Sequence, residues 1–213
     1  MPLRPLHRLP AFLRRRNLYL LLLGLLLALN GQSLWARFGA PYFISDPGAI
    51  GVSGETRLEA AFSPDSGARD LVLRFIDSAQ QSLQVMAFSF SSREITSALI
   101  KAHKRGVKVT MIVDYKANFE QKGEGRREGG NQALERCRKA GITVRALKAF
   151  AIAHDKLMIA DARSVQTGSF NYSHAAAVRN SENVLVVWNN PQLAARYNQL
   201  WQRNWALATA VDG

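Results

Sequence analysis

The chain has 213 residues, 47% of them apolar, which excludes wholesale disorder and supplies one domain with about sixty residues to spare. A single cysteine, Cys137, excludes an intramolecular disulfide framework and any cysteine-rich zinc module. Lys and Arg total 28 against 16 Asp and Glu, a net charge of +12. That balance favours polyanionic partners, nucleic acid or anionic lipid, without choosing between them.

The first 17 residues carry Arg4, Arg8, Arg14, Arg15 and Arg16, and no acid precedes Asp46. The other 23 basic residues against 16 acids still leave +7, so the body is basic in its own right. Leu18 to Leu29 is an unbroken apolar run of 12 residues, nine of them Leu. A spanning helix needs about 20. The run therefore suits a secretory signal with basic residues in front of it, with an uncleaved membrane anchor as the alternative. Residues 1–36 are read as this signal or anchor, which places the body outside the cytoplasm: periplasmic, secreted, or attached to the membrane through residues 18–29.

Residues 37–57 hold Gly39, Pro41, Pro47, Gly48, Gly51 and Gly54 without periodicity and read as a linker or arm. The domain, residues 58–210, becomes regular near Ser63. Ser63-Pro64 opens a helix with Leu71, Val72, Phe75, Ile76 and Ala79 on one face. Leu83 to Phe90 is an apolar strand. Ser92 starts a second helix, facing inward through Ile95, Leu99 and Ala102 and stopped at Gly106. Val107 to Val113 is the next strand, and strand, helix, strand with short joins signals a parallel pair with a right-handed crossover. Tyr115 to Gly130 is rich in Lys, Arg, Glu and Gly and reads as a surface loop. A helix from Asn131 to Ala140 follows, then a strand from Thr143 to Leu147. Lys156 to Ala160 and Ser164 to Thr167 form a strand pair turning at Asp161-Ala162-Arg163. Tyr172 to Val178 reads as a helix and Val184 to Trp188 as a strand. Pro191 opens a last helix whose inner face is Leu193, Tyr197, Leu200, Trp201 and Trp205. The order predicts an α/β fold, a mixed β-sheet flanked by helices. No internal repeat is visible.

The chemistry concentrates in His154-Asp155-Lys156 to Asp161, then Gly168-Ser169-Phe170-Asn171. His154 and Lys156, two apart at a strand start, point to one face. The Gly-Ser-x-Asn turn leads into an apparent helix, a setting suited to anions. Glu182 follows just before a strand. An imidazole, a cation, an anion-binding turn and a carboxylate are what metal-free phosphoryl chemistry requires. Singly, each residue is more readily a structural histidine or a solvated surface charge. Together, His-x-Lys-x4-Asp-x6-Gly-Ser-x-Asn fixes six positions within 18 residues.

This spacing, the HKD motif, resembles the signature of the phospholipase D superfamily. From about Leu58 onward the chain is similar to the small single-motif bacterial endonucleases of that family. The resemblance implies a phospholipase D-like fold and a metal-independent phosphodiesterase with no cofactor. It implies that His154 forms a covalent phosphohistidine and that Lys156 and Asn171 hold phosphate oxygens with Ser169 beside them. Glu182 is implied to accept the other ring N–H of His154. Asp161 and Gly168 are the structural members of the motif, Asp161 through salt bridges. Only four histidines are present (His7, His103, His154, His174), and no clustered His/Asp/Glu spacing suggests a metal cage. With one motif per chain and one suitable imidazole, the economical solution is a homodimer with a shared active site. DNA is the expected substrate. A phospholipase D-type headgroup hydrolase is the alternative, and a nucleic-acid- or membrane-binding protein with a dormant site is the second alternative.

Overall fold

The computed structural model describes residues 50–51, 54–120 and 132–211. The apolar run at 18–29, most of the arm at 37–57 and the loop from residue 121 onward lie outside the described residues. Among the described residues, no helix is long and apolar enough to cross a membrane.

The strands are β1 (Arg57–Ser63), β2 (Ser82–Ala87), β3 (Lys108–Asp114), β4 (Thr143–Leu147), β5 (Lys156–Ala160), β6 (Ser164–Gly168), β7 (Glu182–Trp188) and β8 (Thr209–Ala210). The helices are α1 (Ala68–Ser78), α2 (Arg93–Lys104), α3 (Tyr115–Phe119), α4 (Gln132–Lys139), α5 (His174–Val178) and α6 (Pro191–Leu207). All eight strands join one mixed sheet in the order β1-β7-β6-β5-β2-β3-β4-β8. β2, β3 and β4 run parallel, with α2 crossing between the first two as expected, and β5 turns the direction by pairing antiparallel with β2.

Side-chain alternation sorts the core into two layers. On one side Val85, Met111, Met158, Val184 and Val186 pack with Leu71, Phe75, Ile76 of α1, Ile95 and Leu99 of α2, and Leu134 and Cys137 of α4. On the other side Met86, Ile112, Leu157, Ile159 and Val165 meet Ala194 and Trp201 of α6. The result is a helix–sheet–helix sandwich. Ser92 and Asn190 cap α2 and α6 through side-chain oxygens, each accepting a backbone N–H.

Several local expectations are corrected. β1, whose first residue falls in the expected arm, carries no strand signal in the sequence, because its pattern is inverted. Leu58 and Phe62 are exposed, 59% and 55%, while Glu59, on the helix-facing side, pairs with Arg74 of α1. The expected loop at 115 begins with α3, capped by Asp114. The helix expected from Tyr172 starts only at His174. Tyr172 is fully buried against Phe90, ring centroids 6.3 Å apart, and its carbonyl accepts the N–H groups of Ser91 and Ser92, so its backbone stays extended. Ser173 then caps α5.

Asp161 sits in the β5–β6 turn, five residues after Lys156. At about 3.3 Å per strand residue, it lies at the far end of β5 from the motif's histidine. Its carboxylate accepts the backbone N–H groups of Gln80, Gln81 and Ser82 at 2.9, 2.7 and 2.9 Å. The expected salt bridges are absent among the described residues; Asp161 is structural through backbone N–H groups instead. Burial alone would raise its carboxyl, but those N–H groups outweigh it and hold the carboxyl below the usual range. A depressed acid stabilises the fold above its unfolded-state range, and the contribution disappears as pH falls through the folded value. Asp161→Ala should therefore lower stability by about 1–2 kcal/mol at neutral pH. Chemical denaturation should show the two proteins converging in strong acid; a constant gap at every pH would contradict this account.

Candidate active site

Lys156 opens β5 and is only 5% exposed. It shares a sheet face with Met158 and Ala160, toward the α1–α2 layer. An ammonium is costly to bury without polar partners. Nζ donates 2.7 Å to the His154 carbonyl and lies 4.9 Å from the centre of the Phe88 ring. Burial lowers its pKa, with Asp155 and Glu182 acting in the opposite sense as nearby negative charges. The lysine is a desolvated point charge rather than a surface cation.

His154 precedes β5 and its side chain is exposed. Phe88 and the imidazole meet edge to face, ring centroids 4.6 Å apart at 61°. The backbone just after it is tied, the Phe88 N–H donating to the Asp155 carbonyl at 2.9 Å. Asp155 is half-buried, and burial raises its carboxyl against the pull of Arg203, Lys156 and His154.

β6 ends at Gly168, where the chain turns through Ser169 and Phe170 toward Asn171. This turn is used internally. The N–H groups of Ser169 and Phe170 both donate to the Asn183 carbonyl, at 3.1 and 3.3 Å. The Ser169 hydroxyl donates to Glu182 Oε2 at 2.6 Å and accepts from the Asn183 backbone and side chain at 3.0 and 3.2 Å. Its one donor and two acceptor positions are then filled. The Ser169 hydroxyl is directed to Glu182, a contact the sequence did not foresee. The helix-start anion site is not formed, because α5 begins three residues after Asn171 and is closed by Ser173.

Glu182 is the first residue of β7, on the same sheet face as Lys156. Its other oxygen accepts the Asn180 side-chain amide at 2.9 Å. Among the described residues it makes no hydrogen bond to His154, contrary to expectation. Asn171 is partly buried, and its Oδ1 has no hydrogen-bond partner. The structure thus brings Lys156, Ser169 and Glu182 to one end of the sheet, beside His154, and separates Asp161 from them. A hollow of about 260 Å³ lined by Phe62, Asp65, Gly67, Ala68, Arg69, Asp70, Ala177 and Val178 includes none of the motif residues. Sequence reasoning missed Phe88, which lies against both His154 and Lys156; only its place two residues before the end of the Leu83 to Phe90 run hinted at a site.

The profile of the family described as "Cardiolipin synthase, PLD-like domain" matches residues 72–205. A phospholipase D of Rickettsia conorii is 36% identical over 146 residues, 68% of each chain. A mitochondrial cardiolipin hydrolase of Chlamydomonas reinhardtii is 31% identical over 147 residues, 69% of this chain and 60% of its own. The crystal structure of Nuc, a phospholipase D family member from Salmonella typhimurium, superposes with a TM-score of 0.70 at 38% identity, covering 75% of this chain and all of that one. The chain belongs to the phospholipase D superfamily and is one of its phosphodiesterases.

Gly168 makes the turn possible. Its φ is +149°, and a Cβ there would lie 2.2 Å from the Asn183 carbonyl oxygen. That is the carbonyl which holds the Ser169 and Phe170 N–H groups. Gly168→Ala must therefore part β6 from β7 where Glu182 is oriented, at about 2–4 kcal/mol. The thermal midpoint should drop by several degrees, and hydrogen exchange should quicken at the Ser169 and Phe170 amides. Unchanged protection of those two amides would contradict the assignment.

Proposed function

We propose that this phosphodiesterase is an exported, metal-independent endonuclease that cleaves DNA through a covalent phosphohistidine on His154, as a two-fold dimer. The observation that carries the reading is the buried ammonium of Lys156 directly behind an exposed imidazole. A desolvated cation interacts more strongly with the charge of a phosphoryl transition state than a solvated one does. A His154 ring nitrogen attacks phosphorus, and the bond from phosphorus to the leaving oxygen breaks. Lys156 and the Asn171 amide hold the non-bridging oxygens. The second imidazole, from the partner subunit, protonates the leaving oxygen. It then takes a proton from water as that water attacks the phosphohistidine, freeing His154 and a phosphate monoester. Glu182, held by Ser169, supplies negative charge beside the imidazolium and Lys156.

Two features support the dimer. His154 is exposed, so the nucleophile is not enclosed by the described residues. The sheet is also half-covered on the α6 side. The helix packs on β4, β5 and β6, leaving Leu58, Phe62 and, at 36% exposure, Leu185 in the open. Leu185 pairs with Ala60, and Phe62 pairs with Asn183, the residue that holds the Ser169 turn. A second copy seated on this apolar strip would lie next to the reaction centre.

DNA is favoured by the basic body and by a cationic aromatic stack at the same end of the sheet. Tyr115 and Phe119 stack at 5.9 Å, and Lys148 Nζ sits 3.8 Å from the Tyr115 centroid. Aromatic faces flanked by cations suit an unpaired strand. The reading as a headgroup phospholipase draws on the relatives named phospholipase D, and on Ile152, 55% exposed two residues before His154, which suits an acyl surface.

Wild type and His154→Ala should be compared in excess EDTA, on plasmid DNA and on phosphatidylcholine vesicles. Nicking that persists in EDTA, with no lipid hydrolysis, is expected; lipid hydrolysis without nicking selects the second reading, and Mg²⁺-dependent cleavage sinks the mechanism. Dimers carrying one wild-type and one His154→Ala subunit test the shared site. Such dimers lack the leaving-group acid, whose loss typically costs about 10²–10⁴-fold, and should be nearly silent. Half-normal turnover would assign each subunit a complete site.

A further inference from the structure

We propose that Asp114 is a positioning residue for the nucleophile: its carboxylate fixes the loop that carries His154, and Asn118, one turn later, fixes the strand end that carries Phe88. The inference rests on the reading of His154 as nucleophile. It concerns residues that lie outside the motif.

Asp114 ends β3 and is 2% exposed. One oxygen accepts the Ala117 N–H at 2.7 Å, the ordinary N-cap bond of α3. The other accepts the Ala153 N–H at 2.7 Å, from 39 residues along the chain. Capping needs a single acceptor, and Ser92 and Asn190 supply that to α2 and α6 without a charge. A buried carboxylate is a costly way to cap five residues. Its second oxygen gives the group its purpose, because a carboxylate presents two separate acceptor oxygens where an amide or a hydroxyl presents one.

Asn118 is 7% exposed and engages both ends of its amide. Nδ2 donates to the Phe88 carbonyl at 2.7 Å and to the Asp114 carbonyl at 2.8 Å, while Oδ1 accepts the Phe90 N–H at 3.1 Å. The Phe88 N–H closes the circuit on the Asp155 carbonyl. His154 is thus flanked by two fixed points, the Ala153 N–H held by Asp114 and the Asp155 carbonyl held by Phe88. The Phe88–Asp155 bond continues the β2–β5 register one residue beyond Ala87 and Lys156, whereas the Ala153 side has no strand partner in that ladder and is held by Asp114. Without the circuit, an exposed imidazole on a connecting segment would keep its rotational freedom, and a displacement near 1 Å can cost about 10²-fold in rate.

The test uses bis(4-nitrophenyl) phosphate in rapid-mixing experiments. The first 4-nitrophenolate released reports attack on phosphorus and needs little help from an acid. Burst amplitude counts working sites, and burst rate reports how well each is aligned. Asp114→Ser keeps a capping oxygen and loses the bond to Ala153. It should slow the burst roughly 10–100-fold per working site, with KM nearly unchanged. Asn118→Ser should slow it less, and Asp114→Asn, which presents an amide N–H to one of two backbone donors, should resemble Asp114→Ser. A purely structural role would instead reduce amplitude and thermal midpoint while leaving the rate of surviving sites at the wild-type value, and that result overturns the proposal. If Asp114→Ser does not fold, Asn118→Ser decides by the same split between amplitude and rate. His154→Ala run alongside separates the two levels. A burst that survives in it refutes the nucleophile reading itself, whereas its loss together with a normal Asp114→Ser rate refutes only the positioning role.

Discussion

The constraint on which the site depends is the burial of one ammonium at the end of a central strand. Lys156 is nearly inaccessible and its burial depresses its pKa, so the fold must surround it with groups that tolerate a positive charge. It does so with the His154 carbonyl, the face of Phe88 and the nearby carboxylates of Asp155 and Glu182. They come from three separate segments. Phe88 follows β2, His154 and Asp155 precede β5, and Glu182 opens β7. Only a sheet that reverses direction between β2 and β5 can bring the end of one strand beside the start of the next. The mixed topology and the chemistry are in this sense one requirement.

The same end of the sheet is stiffened by main-chain bonds that carry no motif signature. The Asn183 carbonyl gathers two N–H groups from the Gly168 turn, and Asp114 gathers two from separate segments. Hydrogen bonds of this sort contribute about 1 kcal/mol each to stability. Their larger effect is on geometry, because reactive groups on connecting segments have no ladder to align them. The polar side chains of the neighbourhood are accordingly occupied with protein partners, Ser169 completely so. The imidazole of His154 is exposed, and the Asn171 Oδ1, itself buried, finds no hydrogen-bond partner among the described residues.

How much of this was legible in the sequence follows from how local each signal is. β2, β3 and β5 are short apolar runs bounded by turns, and α1 and α2 carry a clean helical stripe, so their place in a mixed sheet could be read directly. The motif spacing named the residues that meet at the sheet end. The partners of those residues could not be read. Ser169 holding Glu182 spans 13 positions, and Asp114 holding Ala153 spans 39; neither leaves a periodic trace. The extended backbone at Tyr172 was hidden by a helix-compatible sequence, since only tertiary burial of the phenol ring, donating to Gln166 at 2.7 Å, pulls it out of the helix. Asp161 was legible as a motif member but not in its role, because its three backbone donors, Gln80, Gln81 and Ser82, come from the entry into β2, about 80 positions away.

β1 is the element whose arrangement bears most directly on the proposed dimer. Edge strands are ordinarily protected by outward polar residues, yet this one turns Leu58 and Phe62 away from the helix layer and keeps Arg57 and Glu59 toward it. No local rule favours that arrangement: the apolar side chains give up roughly 1.5–3 kcal/mol apiece of possible burial. The inversion becomes sensible if the outer face is itself destined for an interior. The strip is continuous with Leu185 of β7, on the side of the sheet that α6 leaves uncovered, and it runs toward the open end where His154 stands. Among the described residues the apolar strip and the exposed nucleophile lie at neighbouring places in one sheet, and in the proposed dimer a second copy of the chain would supply both the apolar cover and the second imidazole.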